Sequence, residues 1–363
     1  MGEGQSPRVR IPLHLCDTSH PLTCRGRALN DGVYSGPQNI KLSVWHAPSM
    51  TRPTFEEATD NSNTYEEAFT GQSFGPSWTT HWFRVYLTVP EELCREFRHI
   101  ELHWDCGNEA TVWSENGEPL QGLTGREERI EWVLPDSFKD GKEHTLYLEM
   151  ACNGMFGNGP GQPIFKNNAG GDSIQPPDAN KHFQLSKAEL VAPNMQARML
   201  HVDFQIIHDA ALELPEDSWE QRAALNVASR IIDTFNAIDK SSILRCRKIA
   251  EEYLGADINS DEVYQSFNDK KPTVFAIGHC HIDTCWLWPW AETKRKVVRS
   301  WSNQCDLMDR YPELNFACSQ AQQVRDLLEQ AFRITTKSFR WYKTRRFNRG
   351  KKHLLILQDS SNG

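Results

Sequence analysis

The sequence predicts an α+β multidomain chain: an N-terminal antiparallel β-sandwich, a helical connector and the first βαβ unit or units of an α/β barrel. Three observations carry that prediction. Short segments of apolar alternation recur with Asn-Gly and Asp-Gly turns between Trp78 and Met150. Helical spacing takes over after Ser218, and an apolar run from Val274 to Ile277 then delivers the stretch Gly278-His279-Cys280-His281-Ile282-Asp283.

Residues 1–70 are rich in Pro, Gly, Ser and Asn and carry few periodic runs, so they read as an irregular lead-in. The sandwich is expected over 71–210. Phe83, Val85, Leu87 and Val89 alternate with Trp82, Arg84, Tyr86 and Thr88, the signature of a half-buried strand. Similar strands recur at Ile100-Leu102-Trp104, Ala110 to Glu115, Ile130-Trp132-Leu134 and Leu146-Leu148-Met150, with turns at Asn116-Gly117 and Asp140-Gly141. Five of the twelve tryptophans lie between Trp78 and Trp132; at alternating positions they read as core rather than as a sugar-stacking platform. Asn153 to Asn180, dense in Gly, Asn and Pro, is expected to be a long loop. Phe183 to Leu190 and Met199 to Ile207 read as returning strands.

A helical connector follows over 211–270. Ser218 with Gln221 forms a capping box, and Ala224, Leu225, Ala228, Ile231, Ile232, Phe235 and Ile238 keep helical spacing. A second helix is expected over Ser241 to Tyr253. Residues 271–323 contain one βαβ unit: a strand at Val274 to Gly278, a helix at Glu292 to Asp309 with Val297, Val298, Trp301, Cys305 and Met308 inward, and a strand at Leu314 to Cys318. Tyr311-Pro312 ends the helix, because proline lacks a donor and clashes with the preceding turn. The tail, 324–363, differs in composition: Arg333 to Lys352 holds nine Lys or Arg and no acid. It reads as a divergent C-terminus rather than as a binding arm.

The chemistry gathers at the end of the first of these parallel strands. Side chains two residues apart in extended chain share a face, so His279, His281 and Asp283 point the same way. Barrel strands deliver imidazole and carboxylate ligands from their C-terminal ends, which makes the cluster a metal-site candidate. Histidines that only hydrogen-bond at the strand end are the alternative. Trp286 and Trp288 set large apolar faces beside the polar group, the mixture of a sugar or aromatic-ligand pocket, and favour the metal reading.

The run GHCHIDTCWLWPW from Gly278, then Glu292-Thr293, the helix Lys294 to Asp309 and Phe316-Ala317-Cys318-Ser319-Gln320-Ala321-Gln322-Gln323 resemble the opening of the catalytic domain of the glycoside hydrolase family 38 α-mannosidases, cytosolic class 2C type. Ser73-Phe74-Gly75-Pro76-Ser77-Trp78, Cys152-Asn153-Gly154 and Phe183-Gln184-Leu185-Ser186 extend the resemblance upstream. It covers most of residues 40–323 and stops at Gln323. It implies a carbohydrate-binding-like sandwich leading into a family 38 type barrel. It also implies a retaining, two-carboxylate hydrolase that removes terminal α-D-mannose from free oligosaccharides in the cytoplasm.

The implied cofactor is one divalent cation, zinc or cobalt. His281 and Asp283 would hold it together with a second aspartate, which is also the nucleophile, and a second histidine far along the chain. Trp286 and His279 are the implied substrate-binding residues. Nothing after Gln323 resembles the nucleophile segment, so no catalytic residue is assignable. The expectation is therefore a chain truncated early in its catalytic domain and inactive alone, since catalytic zinc sites usually have three protein ligands. The family also contains homo-oligomers.

Composition narrows the rest. A length of 363 residues suits two or three domains, and a net charge of −8 argues against nucleic acid as a partner. No run approaches a membrane span, no secretory signal is visible, the ten cysteines lack a framework spacing and no Asn-x-Ser/Thr acceptor occurs, a pattern that suits the reducing cytosol. Met1-Gly2 with Ser6 matches a loose myristoylation pattern. Two other functions fit parts of the chain: a non-catalytic glycan-binding or regulatory module, and a metal-dependent amidohydrolase, which also opens with His-x-His. The latter needs further histidines, and only His353 lies downstream of His281.

Overall fold

The computed structural model describes residues 30–126, 128–158, 174–255, 277–311, 314–318, 320 and 322–323, with the strand Leu355–Ile356. The chain forms two compact units, Met1–Val33 with Val191–Thr273 and Tyr34–Leu190 with Val274–Gly363.

The sandwich strands are β1 (Asn30–Tyr34), β2 (Ile40–His46), β3 (Glu66–Ala68), β4 (Ser73–Phe74), β5 (Thr80–Thr88), β6 (Glu101–Asp105), β7 (Glu109–Ser114), β8 (Pro119–Thr124), β9 (Glu131–Val133), β10 (Glu143–Ala151), β11 (Phe183–Gln184) and β12 (Lys187–Pro193). One antiparallel sheet has the order β3-β2-β5-β10-β7-β8; a second runs β1-β12-β6-β9, and β4 pairs with β11. At its centre β5 pairs with β10 from Thr80↔Ala151 to Thr88↔Glu143 and with β2 from Ile40↔Leu87 to His46↔His81.

The alternation in β5 has the expected result. Phe83, Val85 and Leu87 are fully buried, and the Phe83 ring meets Trp104 of β6 edge to face at 4.8 Å, so this face packs on the second sheet. Arg84, Tyr86 and Thr88 are half-buried. Trp82 departs from the pattern: it is buried although it points the other way, because a second layer covers that end of the sheet. Trp78, Trp82, Trp104, Trp113 and Trp132 are all buried and offer no open stacking face.

The lead-in differs from expectation. Between residues 30 and 70 the chain forms β1, β2, the short helix α1 (Phe55–Ala58) and β3, and β2 lies next to the central strand. Ile40-Lys-Leu-Ser-Val-Trp-His carries a period-two pattern, with Ile40 and Val44 buried and Lys41 exposed, that the surrounding Pro and Gly obscure. A further strand, β8, follows the Asn116-Gly117 turn unanticipated. Between β5 and β6 lies a short helix, α2 (Glu91–Glu96).

The other unit is helical: α3 (Met195–Glu213), α4 (Trp219–Thr234) and α5 (Ser241–Leu254). The strand expected at Met199 to Ile207 is instead part of α3, so helices begin well before residue 211. Leu200, Val202, Phe204 and Ile206 mimic strand alternation, but Val202 and Ile206 are exposed. The true period buries Ala197, Leu200, Phe204, Ile207 and Ala211 against Ala224, Ala228 and Ile231 of α4 and Ile243, Cys246 and Ala250 of α5. Asn194 caps the helix, its side chain accepting from the Ala197 N–H at 2.9 Å. Ser218 caps α4 by accepting from the Gln221 N–H at 3.2 Å. The Gln221 carbonyl returns to the Asp217 N–H rather than to Ser218, so the box closes one residue early.

From residue 277 the chain re-enters the sandwich unit. Strand β13 (Gly278–His279), helix α6 (Trp290–Arg310) and strand β14 (Phe316–Cys318) form the expected βαβ unit, with parallel pairs Gly278↔Phe316 and His279↔Ala317. A third strand, β15 (Leu355–Ile356), adds to β14 in parallel. Val274–Ala276, Pro312 and the basic stretch Arg333–Lys352 lie outside the described residues. Val297, Val298, Trp301 and Met308 of α6 pack with Phe316, Ile282 and Trp288 as expected, while Cys305 is half-buried.

Candidate functional site

Strand β13 ends at His279, and Cys280 to Pro289 follow without regular structure. Residues alternate as in extended chain: Ile282 is buried, 5% exposed, while His281 and Asp283 turn outward with side chains 67% and 43% exposed. The outward pair meets, His281 Nε2 lying 3.0 Å from Asp283 Oδ1. At that distance the two side chains hydrogen-bond to each other; one imidazole nitrogen with one carboxylate oxygen is nonetheless a donor set that suits a divalent ion. Among the described residues no three His, Cys, Asp or Glu gather to hold a metal, so exposed His279 does not complete the set.

The pair is held from beneath. Ile282 enters the Trp288–Val297–Phe316 cluster, and its carbonyl accepts from Gln323 Nε2 at 2.9 Å. Cys285 adopts a left-handed φ of 54° and donates its N–H to Thr293 Oγ1 at 3.2 Å; Trp288 Nε1 donates to the same oxygen at 3.1 Å. The Trp286 ring stands edge-on to Trp288 at 5.8 Å. Thr293, from the first turn of α6, therefore fixes both ends of the Cys285–Trp288 turn.

The opposite face of α6 carries charge into the protein. Glu292 receives Arg52 Nε at 2.6 Å and Arg295 Nη1 at 2.7 Å; Arg295 reaches Glu149 of β10 at 2.8 Å; Lys296 and Arg299 reach Glu109 of β7 at 2.7 and 3.1 Å. Burial by itself would raise the Glu292 carboxyl, but the guanidinium groups of Arg295, Arg299 and Arg52 outweigh it and hold it at about 2. Burial pushes the Lys296 ammonium below its usual value, opposed by Glu109. The helix comes this close because Gly122 of β8 has no side chain: a Cβ there would lie 2.5 Å from that of Arg299, and the Gly122 N–H donates to Asn303 Oδ1 at 2.8 Å.

Lys296 also ties in a loop of the sandwich. Its ammonium sits 4.4 Å from the centre of the Trp288 ring and donates to the Met155 carbonyl at 2.7 Å. Gly154 and Gly157 exchange N–H···O bonds of 3.0 Å, which places Met155 and Phe156 at the tip of a tight turn. Buried Asn153 donates to Glu109 at 2.8 Å at its base. Gly157, at φ +73°, lies so close to the Leu287 carbonyl that any Cβ would press into it. Phe156 meets Trp286 edge to face at 6.2 Å.

A cleft of about 310 Å³ between Pro119, Trp132 and Leu134 and the Cys305–Arg310 end of α6 holds none of the expected site residues.

Comparison with known proteins matches these two regions separately. Residues 37–191 match the family "Alpha-mannosidase, jelly roll domain", and residues 271–337 match "Glycosyl hydrolases family 38 N-terminal domain". The chain belongs to glycosyl hydrolase family 38.

Three curated relatives are named as α-mannosidases. The α-mannosidase of Saccharomyces cerevisiae is 44% identical over 268 residues, 73% of this chain and 24% of that protein. Alpha-mannosidase 2C1 of Homo sapiens is 38% identical over 75% of this chain and 24% of its own length, and alpha-mannosidase G of Dictyostelium discoideum 36% over 71% and 22%. The chain spans about a quarter of the length of the curated relatives it matches. Membership of a glycosyl hydrolase family speaks against the amidohydrolase reading. The match also runs past Gln323 to residue 337, further than the motif resemblance reached. No described helix is long and apolar enough to cross a membrane.

The roles of Thr293, Lys296, Glu109 and the Gly154–Gly157 turn are not legible in local sequence. The visible signal for the last was the Cys152-Asn153-Gly154 motif, which there served only the resemblance.

Proposed function

We propose that this chain carries one part of the sugar-and-metal site of a retaining α-mannosidase acting on terminal α-D-mannose of free oligosaccharides in the cytoplasm. His281 and Asp283 are two ligands of one divalent cation, zinc or cobalt. Trp286 is the apolar floor beneath the mannose ring and His279 a wall of its pocket. The observation that supports this best is the outward-facing His281–Asp283 pair past the end of a parallel strand, with Trp286 three residues further along the chain. When bound, such an ion supplies a positive charge that grips sugar hydroxyls and favours the distorted ring of the transition state.

The residues of the chain do the rest. His281 presents Nε2 and Asp283 Oδ1 to the ion, so Asp283 serves as a ligand and not as acid or nucleophile. The carboxylates of the two-step mechanism and the further ligands of the ion are not among the assigned residues. By itself the 363-residue chain is expected to bind zinc weakly and to turn over no substrate.

Calorimetric titration with zinc and with cobalt tests the reading. One weak site is expected, lost in His281→Ala and in Asp283→Ala. Retention of the metal by both variants removes the ligand assignment, and turnover of an aryl α-mannoside by the purified chain removes the expectation of inactivity. The sandwich as an independent glycan-binding module gains no support, since Trp78, Trp82, Trp104, Trp113 and Trp132 are buried and half-buried Trp45 packs against the same cluster as Trp82.

A further inference from the structure

The turn Gly154–Gly157 spends unusual chemistry on a tip. Tight turns are usually filled by small or polar residues, yet Met155 and Phe156 stand there 43% and 57% exposed. Their position is not loose: the turn is gripped by the Met155 carbonyl on Lys296, by Asn153 on Glu109 and by Gly157 against Leu287. The result is a fixed aromatic corner, with the Phe156 and Trp286 rings at 88° to one another.

We propose that Phe156, supplied by the sandwich, is a specificity-determining residue that contacts the sugar next to the terminal mannose. The inference rests on the functional reading above, in which Trp286 lies under the mannose ring. With Trp286 as floor, Phe156 is a perpendicular wall one ring further on. The C–H faces of pyranoses pack on aromatic rings, so such a wall favours a mannose linked to a second sugar over a mannose alone. The sandwich thereby reads the aglycone of a substrate whose terminal residue is held by the barrel segment.

The test uses the full chain with zinc, comparing methyl α-D-mannoside with α-linked mannobioses by saturation-transfer NMR. Wild type is expected to bind a mannobiose more tightly than the methyl glycoside, with saturation reaching both rings. Phe156→Ala should weaken the mannobiose by about three- to tenfold and silence its second ring, leaving the methyl glycoside unchanged. Phe156→Tyr should behave as wild type. If Phe156→Ala weakens both ligands equally, or neither, Phe156 does not read the second sugar and the functional reading stands. If the wild-type chain binds no mannoside, the functional reading falls and this inference with it.

Discussion

His281 Nε2 and Asp283 Oδ1 lie 3.0 Å apart, while Ile282 between them is buried. The outward pair is thus aimed by an inward anchor. Replacing Ile282 by Ala should cost about 2–5 kcal/mol by urea unfolding, and Ile282→Val about 1 kcal/mol. Zinc affinity should fall in the Ala variant in step with the loosened anchor. Unchanged zinc binding in that variant would show that the pair aims itself.

Glu109 faces two buried cations, Lys296 and Arg299. Removing one partner of a buried ion pair leaves an uncompensated charge, so Glu109→Gln should destabilise the sandwich unit by about 3–5 kcal/mol. The double variant Glu109→Gln with Lys296→Met should lose less than the sum of the single losses, which a double-mutant cycle measures. Strict additivity would mean that the ion pair contributes no coupling.

Acid should destabilise this unit in two steps. Burial, His46, Arg295 and His182 depress His81 from 6.5 to about 3, so its neutral form's contribution is complete above about pH 6.5 and fades as pH falls toward 3. Glu292, depressed from 4.5 to about 2, contributes fully above pH 4.5 and is lost as pH falls toward 2. Stability measured by urea unfolding should therefore begin to decline below pH 6.5, and His81→Phe should flatten the first part of that decline. A flat profile between pH 6.5 and 4.5 in wild type would contradict the assignment to His81.

Gly122 sits where Arg299 passes. Gly122→Ala must displace α6 or bend β8, a loss of about 1–3 kcal/mol from overpacking. Because Thr293 and Lys296 ride on α6, Trp288 fluorescence should shift with it. Full stability together with an unchanged spectrum would show that the helix has room to spare.

Much of this was legible because local periodicity carried it. The two faces of β5, the inward row of α6 and the parallel pairing of β13 with β14 follow from patterns within a dozen residues. Strand β2 and helix α3 depart from the local pattern for related reasons: Pro- and Gly-rich surroundings mask one alternation, and Leu200-Val202-Phe204-Ile206 counterfeits another. That His281 and Asp283 share a face follows from their spacing two residues apart in extended chain. The polar face of α6 is not legible in this way, because Arg295, Lys296 and Arg299 at helical spacing look like a solvated stripe. Only the tertiary structure reveals that Glu109, the partner of Lys296 and Arg299, stands 187 residues before Lys296, and that Arg295 meets Glu149. The same holds for Met155 and Phe156, whose loop composition signals irregularity but not what it leans on.

The sandwich unit is assembled from two stretches of chain, with the Val191–Thr273 part of the helical unit between them in sequence. During synthesis, then, the ribosome releases Glu109 and Glu149 long before it makes the arginines and lysine that neutralise them. The nascent sandwich must wait through the whole insertion with acidic groups uncapped and Gly122 uncovered, which makes this the interval when a chaperone has most to shield.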